Sequence, residues 1–123
     1  MEFDALSNRV IGCAIEVHRY LGPGLLESAY ETCLAHELEG AGIPFQAQHT
    51  LPIAYKGLKL DCAFRVDLLV DGALLVELKA VERILNVHQA QLLTYMKLAR
   101  IRVGLLINFN VPLLRDGLER FVL

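Results

Sequence analysis

Apolar positions recur at three- and four-residue spacing in the first third of the chain and then switch to alternation. From about Asp4 to Leu21, the residues Leu6, Val10, Cys13, Val17 and Leu21 fall on one stripe, which predicts a helix. Gly22-Pro23-Gly24 should end it. A second helix is predicted from about Leu25 to Glu39, with Leu26, Tyr30, Cys33 or Leu34, and Leu38 as its stripe, closed by Gly40 and Gly42. Phe45, Ala47, His49, Leu51, Ile53 and Tyr55 then alternate as a strand does, and Pro52 moves that strand to an edge or bends it. Lys56-Gly57 is a turn. Leu58 to Val70 alternates again, and Asp71-Gly72 signals a hairpin. Ala73 to Ala80 is almost wholly apolar, as in a strand covered on both faces. A third helix is predicted from about Asn86 to Ala99, with Asn86 and Gln89 as a variant capping box. Arg102 to Phe109 reads as another buried strand. A turn at Asp116-Gly117 leads to a short last segment, Leu118 to Val122, a candidate terminal strand.

The order α-α-β-β-β-α-β predicts a mixed α/β (α+β) fold. Three meandering strands, a crossover helix and a fourth strand make a mixed sheet flanked by helices. A chain of 123 residues is the size of one domain, expected to span 1–123. Hydrophobic residues are 54% and charged residues 21%, so disorder is excluded. No stretch approaches the ~20 apolar residues of a membrane span. The mean hydropathy of +0.42 then points to a dense core, an oligomer interface or both. Leu113, Leu114 and the terminal Phe121-Val122-Leu123 are candidates for a homodimer contact. The formal net charge is −2, which is not the footprint of a protein that grips nucleic acid by charge alone. A bound metal ion can supply positive charge at a phosphate locally. Cys13, Cys33 and Cys62 are expected as small apolar side chains in a reducing compartment. Met1-Glu2-Phe3-Asp4 carries no apolar run, so a cytoplasmic protein is expected.

The informative stretch is Phe64 to Ala80. Strands this apolar should be central, yet Asp67, Glu77 and Lys79 lie inside them. An ionised carboxylate in such a place costs several kcal/mol unless it is paired or metal-bound, at about the magnitude seen for buried ions. Glu77 and Lys79 are two apart and share a face. The hairpin register decides whether Asp67 joins them. A two-residue Asp71-Gly72 loop would send Glu77 to the other side. A three-residue loop, Val70-Asp71-Gly72, would pair Leu69 with Ala73 and set Asp67 diagonal to Glu77 on its side of the sheet. We expect the latter. The two carboxylates are then hard oxygen ligands for Mg²⁺ or Mn²⁺, with the Leu78 backbone carbonyl as a further ligand. Lys79 would orient or deprotonate water, or stabilise charge on a phosphate. The competing reading is a structural Glu77–Lys79 or Asp67–Arg65 pair at a sheet end.

Asp67 followed by Glu77-Leu78-Lys79 resembles the core signature of the PD-(D/E)XK nuclease superfamily. Gly24-x-x-Glu27-x-x-Tyr30 resembles the motif that names the GxxExxY family, a small branch of it. Gln91-Leu92-Leu93-Thr94-Tyr95 is similar to the Gln-x-x-x-Tyr motif of RecB-like nucleases, and Leu105 to Phe109 is similar to the late strand. Val66 stands where the nominal signature has proline. The resemblance implies divalent metal at Asp67 and Glu77, Lys79 as the catalytic lysine, and Glu27 projected from a helix toward the metal. Glu27 would also suit a helix dipole and Tyr30 a core. Gln91 and Tyr95, four apart on one helix face, would hold Lys79 or a phosphate, or else make a structural hydrogen bond. His18 would line the site from the end of the first helix or serve the helix dipole there. The resulting expectation is a metal-dependent nuclease acting on nucleic acid, DNA before RNA, with low sequence specificity or dependence on an accessory protein. The alternatives are a binding module on the same fold and a dimeric interaction protein.

Overall fold

The computed structural model describes residues 4–123, and of Cys62 and Ala63 only the backbone. The readings of Met1 to Phe3 and of the Cys62 side chain therefore lie outside the described residues. The elements are α1 (Ala5–Leu21), α2 (Glu27–Gly40), β1 (Phe45–Tyr55), β2 (Leu58–Val70), β3 (Leu74–Lys79), α3 (Asn86–Ala99), β4 (Val103–Asn108), a 3₁₀ turn (Leu114–Gly117) and β5 (Leu118–Val122). They form a five-stranded sheet in the order β1-β2-β3-β4-β5. Neighbours are antiparallel except β3 and β4, which run parallel because α3 crosses between them.

Both faces of the sheet are covered, by different helices. Val10, Ala14 and Val17 of α1 and Tyr30, Leu34 and Leu38 of α2 pack on Leu74, Val76 and Leu78 of β3 and on Leu105 and Ile107 of β4. Leu92 and Met96 of α3 pack on the opposite face, against Leu75 and Leu106. This is why β3 and β4 read as unbroken apolar runs. Cys13 and Cys33 are free thiols, half-buried against the α1–α2 core.

The helix ends are set locally. The Asp4 carboxylate accepts the Ser7 N–H at 2.9 Å and caps α1. Gly22, at φ 73°, takes the left-handed step that stops the helix. The expected Asn86–Gln89 box is absent. Leu85 is the N-cap of α3, and its N–H donates to His88 Nδ1 at 3.0 Å. Gln89 instead donates to Glu119 at 2.7 Å, because the long-range partner on β5 lies on that side of the helix. Pro52 has both expected effects: β1 is an edge strand, and its register on β2 shifts between Leu51 and Ile53. Of the candidate interface residues, Leu114 is buried in the core, whereas Leu113, Val122 and Leu123 are exposed.

The hairpin between β2 and β3 corrects the predicted register by two residues, with Leu69 opposite Leu75 and not Ala73. Val70 pairs with Leu74, Leu69 with Leu75 and Leu68 with Val76. The connection still holds three residues, but they are Asp71, Gly72 and Ala73. Asp71 and Gly72 both have positive φ, 51° and 64°, and the Ala73 N–H closes the turn on the Val70 carbonyl at 3.0 Å. Continued by one pair, this register sets Asp67 directly opposite Glu77 rather than diagonal to it. The two share a face, as the site requires.

Candidate active site

Pairing of β2 with β3 stops at Leu68 and Val76, and the strands part. At this fork the carboxylates take over the hydrogen bonding of the ladder. The Asp67 N–H donates to Glu77 Oε1 at 3.1 Å, and the Leu78 N–H donates to Asp67 Oδ2 at 2.8 Å. Backbone donors that separation of the strands would orphan are thereby satisfied. Glu77 is only 7% exposed. Burial, and then the Asp67 carboxylate beside it, push the Glu77 carboxyl up to about 7. Lys79, two residues on and half-buried, pulls in the other direction without cancelling them. Among the described residues, ion pairs join Arg19 to Glu16 and Arg120 to Asp4, neither of them in the fork. The sheet-end ion pairs weighed as a structural alternative, Glu77–Lys79 and Asp67–Arg65, are thus not among them.

Both helix layers contribute to the fork. Glu27 opens α2, exposed, and adds to the negative potential at Glu77. Glu31, one turn later, is joined to Asp67 through Gln48 of β1. The Gln48 amide nitrogen donates to Glu31 Oε1 and, at 3.2 Å, to Asp67 Oδ1. Burial raises the Glu31 carboxyl, the Gln48 hydrogen bond opposes that, and Asp67 and Glu27 add to the rise. From α3, Tyr95 stacks on Phe64 with centroids 4.4 Å apart, and its hydroxyl accepts from Gln91 Nε2 at 2.6 Å. The Tyr95 hydroxyl is raised by burial and then by Glu77. Gln91 and Tyr95 therefore bond to each other, close to the carboxylates.

His18 and Tyr30 stand elsewhere. His18 is buried, and its Nε2 meets the Val111 carbonyl at 2.8 Å. Tyr30 is fully buried and stacked on Phe109. Its hydroxyl donates to the Gly22 carbonyl at 2.6 Å and accepts the Leu25 N–H at 3.1 Å. The Gly24-x-x-Glu27-x-x-Tyr30 spacing thus has a physical reading. Tyr30 ties down the loop that delivers Glu27 to the start of α2. The sequence reading missed Glu31 and Gln48. Glu31 carries a visible signal, four residues after Glu27 on the same helix face. Gln48 carries none.

The donor set is hard oxygen, suited to Mg²⁺ or Mn²⁺. Among the described residues no three His, Cys, Asp or Glu side chains converge as a ready cage. The fit rests on the Asp67–Glu77 pair: two carboxylates face each other across the fork, each held by a backbone N–H from the opposite strand.

A mixed sheet between helix layers, with an acidic residue and a Glu-x-Lys on adjacent strands that part at their ends, defines a restriction-endonuclease-like domain. The chain belongs to the PD-(D/E)XK nuclease superfamily, whose family model matches residues 4–121. No curated protein and no solved structure matches the chain. Among the described residues, no helix is long and apolar enough to cross a membrane.

Proposed function

We propose that the chain is a Mg²⁺- or Mn²⁺-dependent nuclease of the GxxExxY branch, one domain over residues 1–123, that hydrolyses phosphodiester bonds in DNA. One observation carries the reading: Asp67 and Glu77 face each other in a buried fork with Glu77 raised to about 7 and no paired cation among the described residues. A structural role alone would be served as well by neutral side chains. Asp67 and Glu77 would hold the ion, with Glu27 and the Leu78 carbonyl completing its ligands. When bound, the ion supplies Lewis-acid polarisation of the phosphate and a water acidic enough to attack. Lys79 points its charge to the same face as Glu77 and offsets negative charge that grows on the phosphate oxygens. Gln91 and Tyr95 offer hydroxyl and amide groups to the phosphate or to Lys79 at the α3 wall.

Low sequence preference is expected of so small a surface, with an accessory protein as the source of any specificity. Exposed Leu113, Val122 and Leu123 support a homodimer, which solution mass tests. A cytoplasmic setting agrees with the free thiols Cys13 and Cys33.

The deciding measurement is Mn²⁺ calorimetry on metal-free wild type and Glu77→Ala, followed by cleavage assays on DNA and RNA. Binding lost in the variant, with metal-dependent cleavage of DNA, supports the proposal. A wild type that takes up no Mn²⁺ overturns it and favours a binding module on the same fold.

A further inference from the structure

Gln48 is anomalous in its own strand. Its neighbours Ala47 and His49 pair with Leu68 and Val66, so β1 continues on both sides of it. Yet Gln48 has φ 52°, in the left-handed region that a side chain bearing a Cβ rarely adopts. Such a conformation persists only where the surroundings hold it, and it gathers at functional sites. The side chain turns toward the fork, and its amide nitrogen donates to Glu31 Oε1 and to Asp67 Oδ1. The hairpin also changes sides at this point: Leu68 and Val70 pack with α1 and α2, whereas Phe64 and Val66 pack with the α3 cluster.

We propose that Gln48 is a positioning residue, the centre of a Glu31–Gln48–Asp67 relay that orients Asp67 for the cation. The inference rests on the reading of Asp67 as a metal ligand given above. An amide NH₂ carries two donors and no charge. It can therefore bridge two carboxylates that would repel each other, without neutralising the site as a lysine or arginine would. Asp67 Oδ2 is already fixed by the Leu78 N–H. With Oδ1 fixed by Gln48, both oxygens are aimed before an ion arrives, and each keeps a lone pair for it. Glu31 anchors the amide from α2, so the helix layer and the hairpin are tied at the point where the ion would sit.

The test uses Gln48→Gly, Gln48→Glu and Glu31→Ala in the full chain. Glycine accepts the positive φ and removes only the amide, so the fold should survive. Loss of a partner that orients a metal ligand weakens metal binding by about 10- to 100-fold. Calorimetry should show that loss for Gln48→Gly, and a larger one for Gln48→Glu, which places another acceptor between two carboxylates. The effects of Gln48→Gly and Glu31→Ala should overlap in the double variant, since both cut one relay. Cleavage by Gln48→Gly should return at saturating Mn²⁺, which a general structural lesion would not allow. In the metal-free protein, the Gln48 side-chain amide resonances should lie downfield and exchange slowly, and should move on Glu31→Ala. Wild-type Mn²⁺ affinity in Gln48→Gly overturns the relay. If the wild type itself binds no Mn²⁺, the proposed function falls, and the amide resonances alone decide whether Gln48 orders Asp67: free-amide shifts that ignore Glu31→Ala reject it.

Discussion

Asp67 and Glu77 face each other across the fork between β2 and β3, and each carboxylate accepts a backbone N–H from the strand that carries the other. The pair is at once a substitute for the sheet ladder and a concentration of buried negative charge. That double role has a consequence for stability against pH. The Glu77 carboxyl is raised by burial and by Asp67 from 4.5 to about 7. Between those values the folded protein binds more protons than the unfolded chain. The contribution of Glu77 to the stability of the metal-free protein should therefore be fully present below about pH 4.5 and be lost as pH rises through 7, by up to about 3 kcal/mol. Urea midpoints in EDTA from pH 5 to 8 should show the decline. Glu77→Gln should flatten it and overtake the wild type above pH 7, because the amide keeps the acceptor and loses the charge.

Lys79 shares its face with Glu77 and is half-buried. Lys79→Ala should lower kcat for phosphodiester cleavage by about 100- to 1,000-fold, the magnitude of removing one positioned charge stabiliser. The Mn²⁺ affinity should change little, since Lys79 is no ligand. Single-turnover cleavage alongside calorimetry separates the two effects.

Tyr30→Phe keeps the stack on Phe109 and removes the hydroxyl that joins the Gly22 carbonyl to the Leu25 N–H. Leaving both groups unpaired should cost about 1–3 kcal/mol in urea unfolding. The loop before Glu27 should loosen, read as faster amide exchange at Leu25.

Asn108 is buried at the end of β4 and closes the loop after Lys79. Its Oδ1 accepts the N–H groups of Val81 and Asn110, and its Nδ2 donates to the Val81 carbonyl. Asn108→Ala should destabilise the protein by about 2–4 kcal/mol, since several buried groups lose partners together. Asn108→Asp should cost less, because it keeps the acceptor that serves both N–H groups.

The fold was largely readable because its signals are periodic and local. The apolar runs of β3 and β4 announce a strand covered on both faces. The change of period after Gly42 announces the sheet. Errors fell where a distant partner outbid a local one. Gln89 left the expected cap for Glu119 on β5. Leu114, a candidate interface residue, went into the core. The hairpin pairing shifted by two residues because its turn closes at Ala73, a choice that the Asp71-Gly72 pair leaves open.

The candidate site divides in the same way. Asp67, Glu77 and Lys79 are conspicuous because charge inside an apolar strand is costly, so their presence alone argues for a use. Glu27 and Tyr30 were visible as a spaced motif, but the spacing does not say that Tyr30 bonds the Gly22–Leu25 loop while His18 turns to Val111.

By itself the sequence determined the elements, their order, the covered strands and the buried charges, because periodicity and the cost of burying charge are properties of short stretches. Only the tertiary structure decided that Asp67 stands opposite Glu77, that Gln48 bends out of its strand to meet it, and that Glu31 arrives from another layer. Those are contacts between residues 10 to 19 positions apart, and hairpin register, strand twist and helix docking set them together.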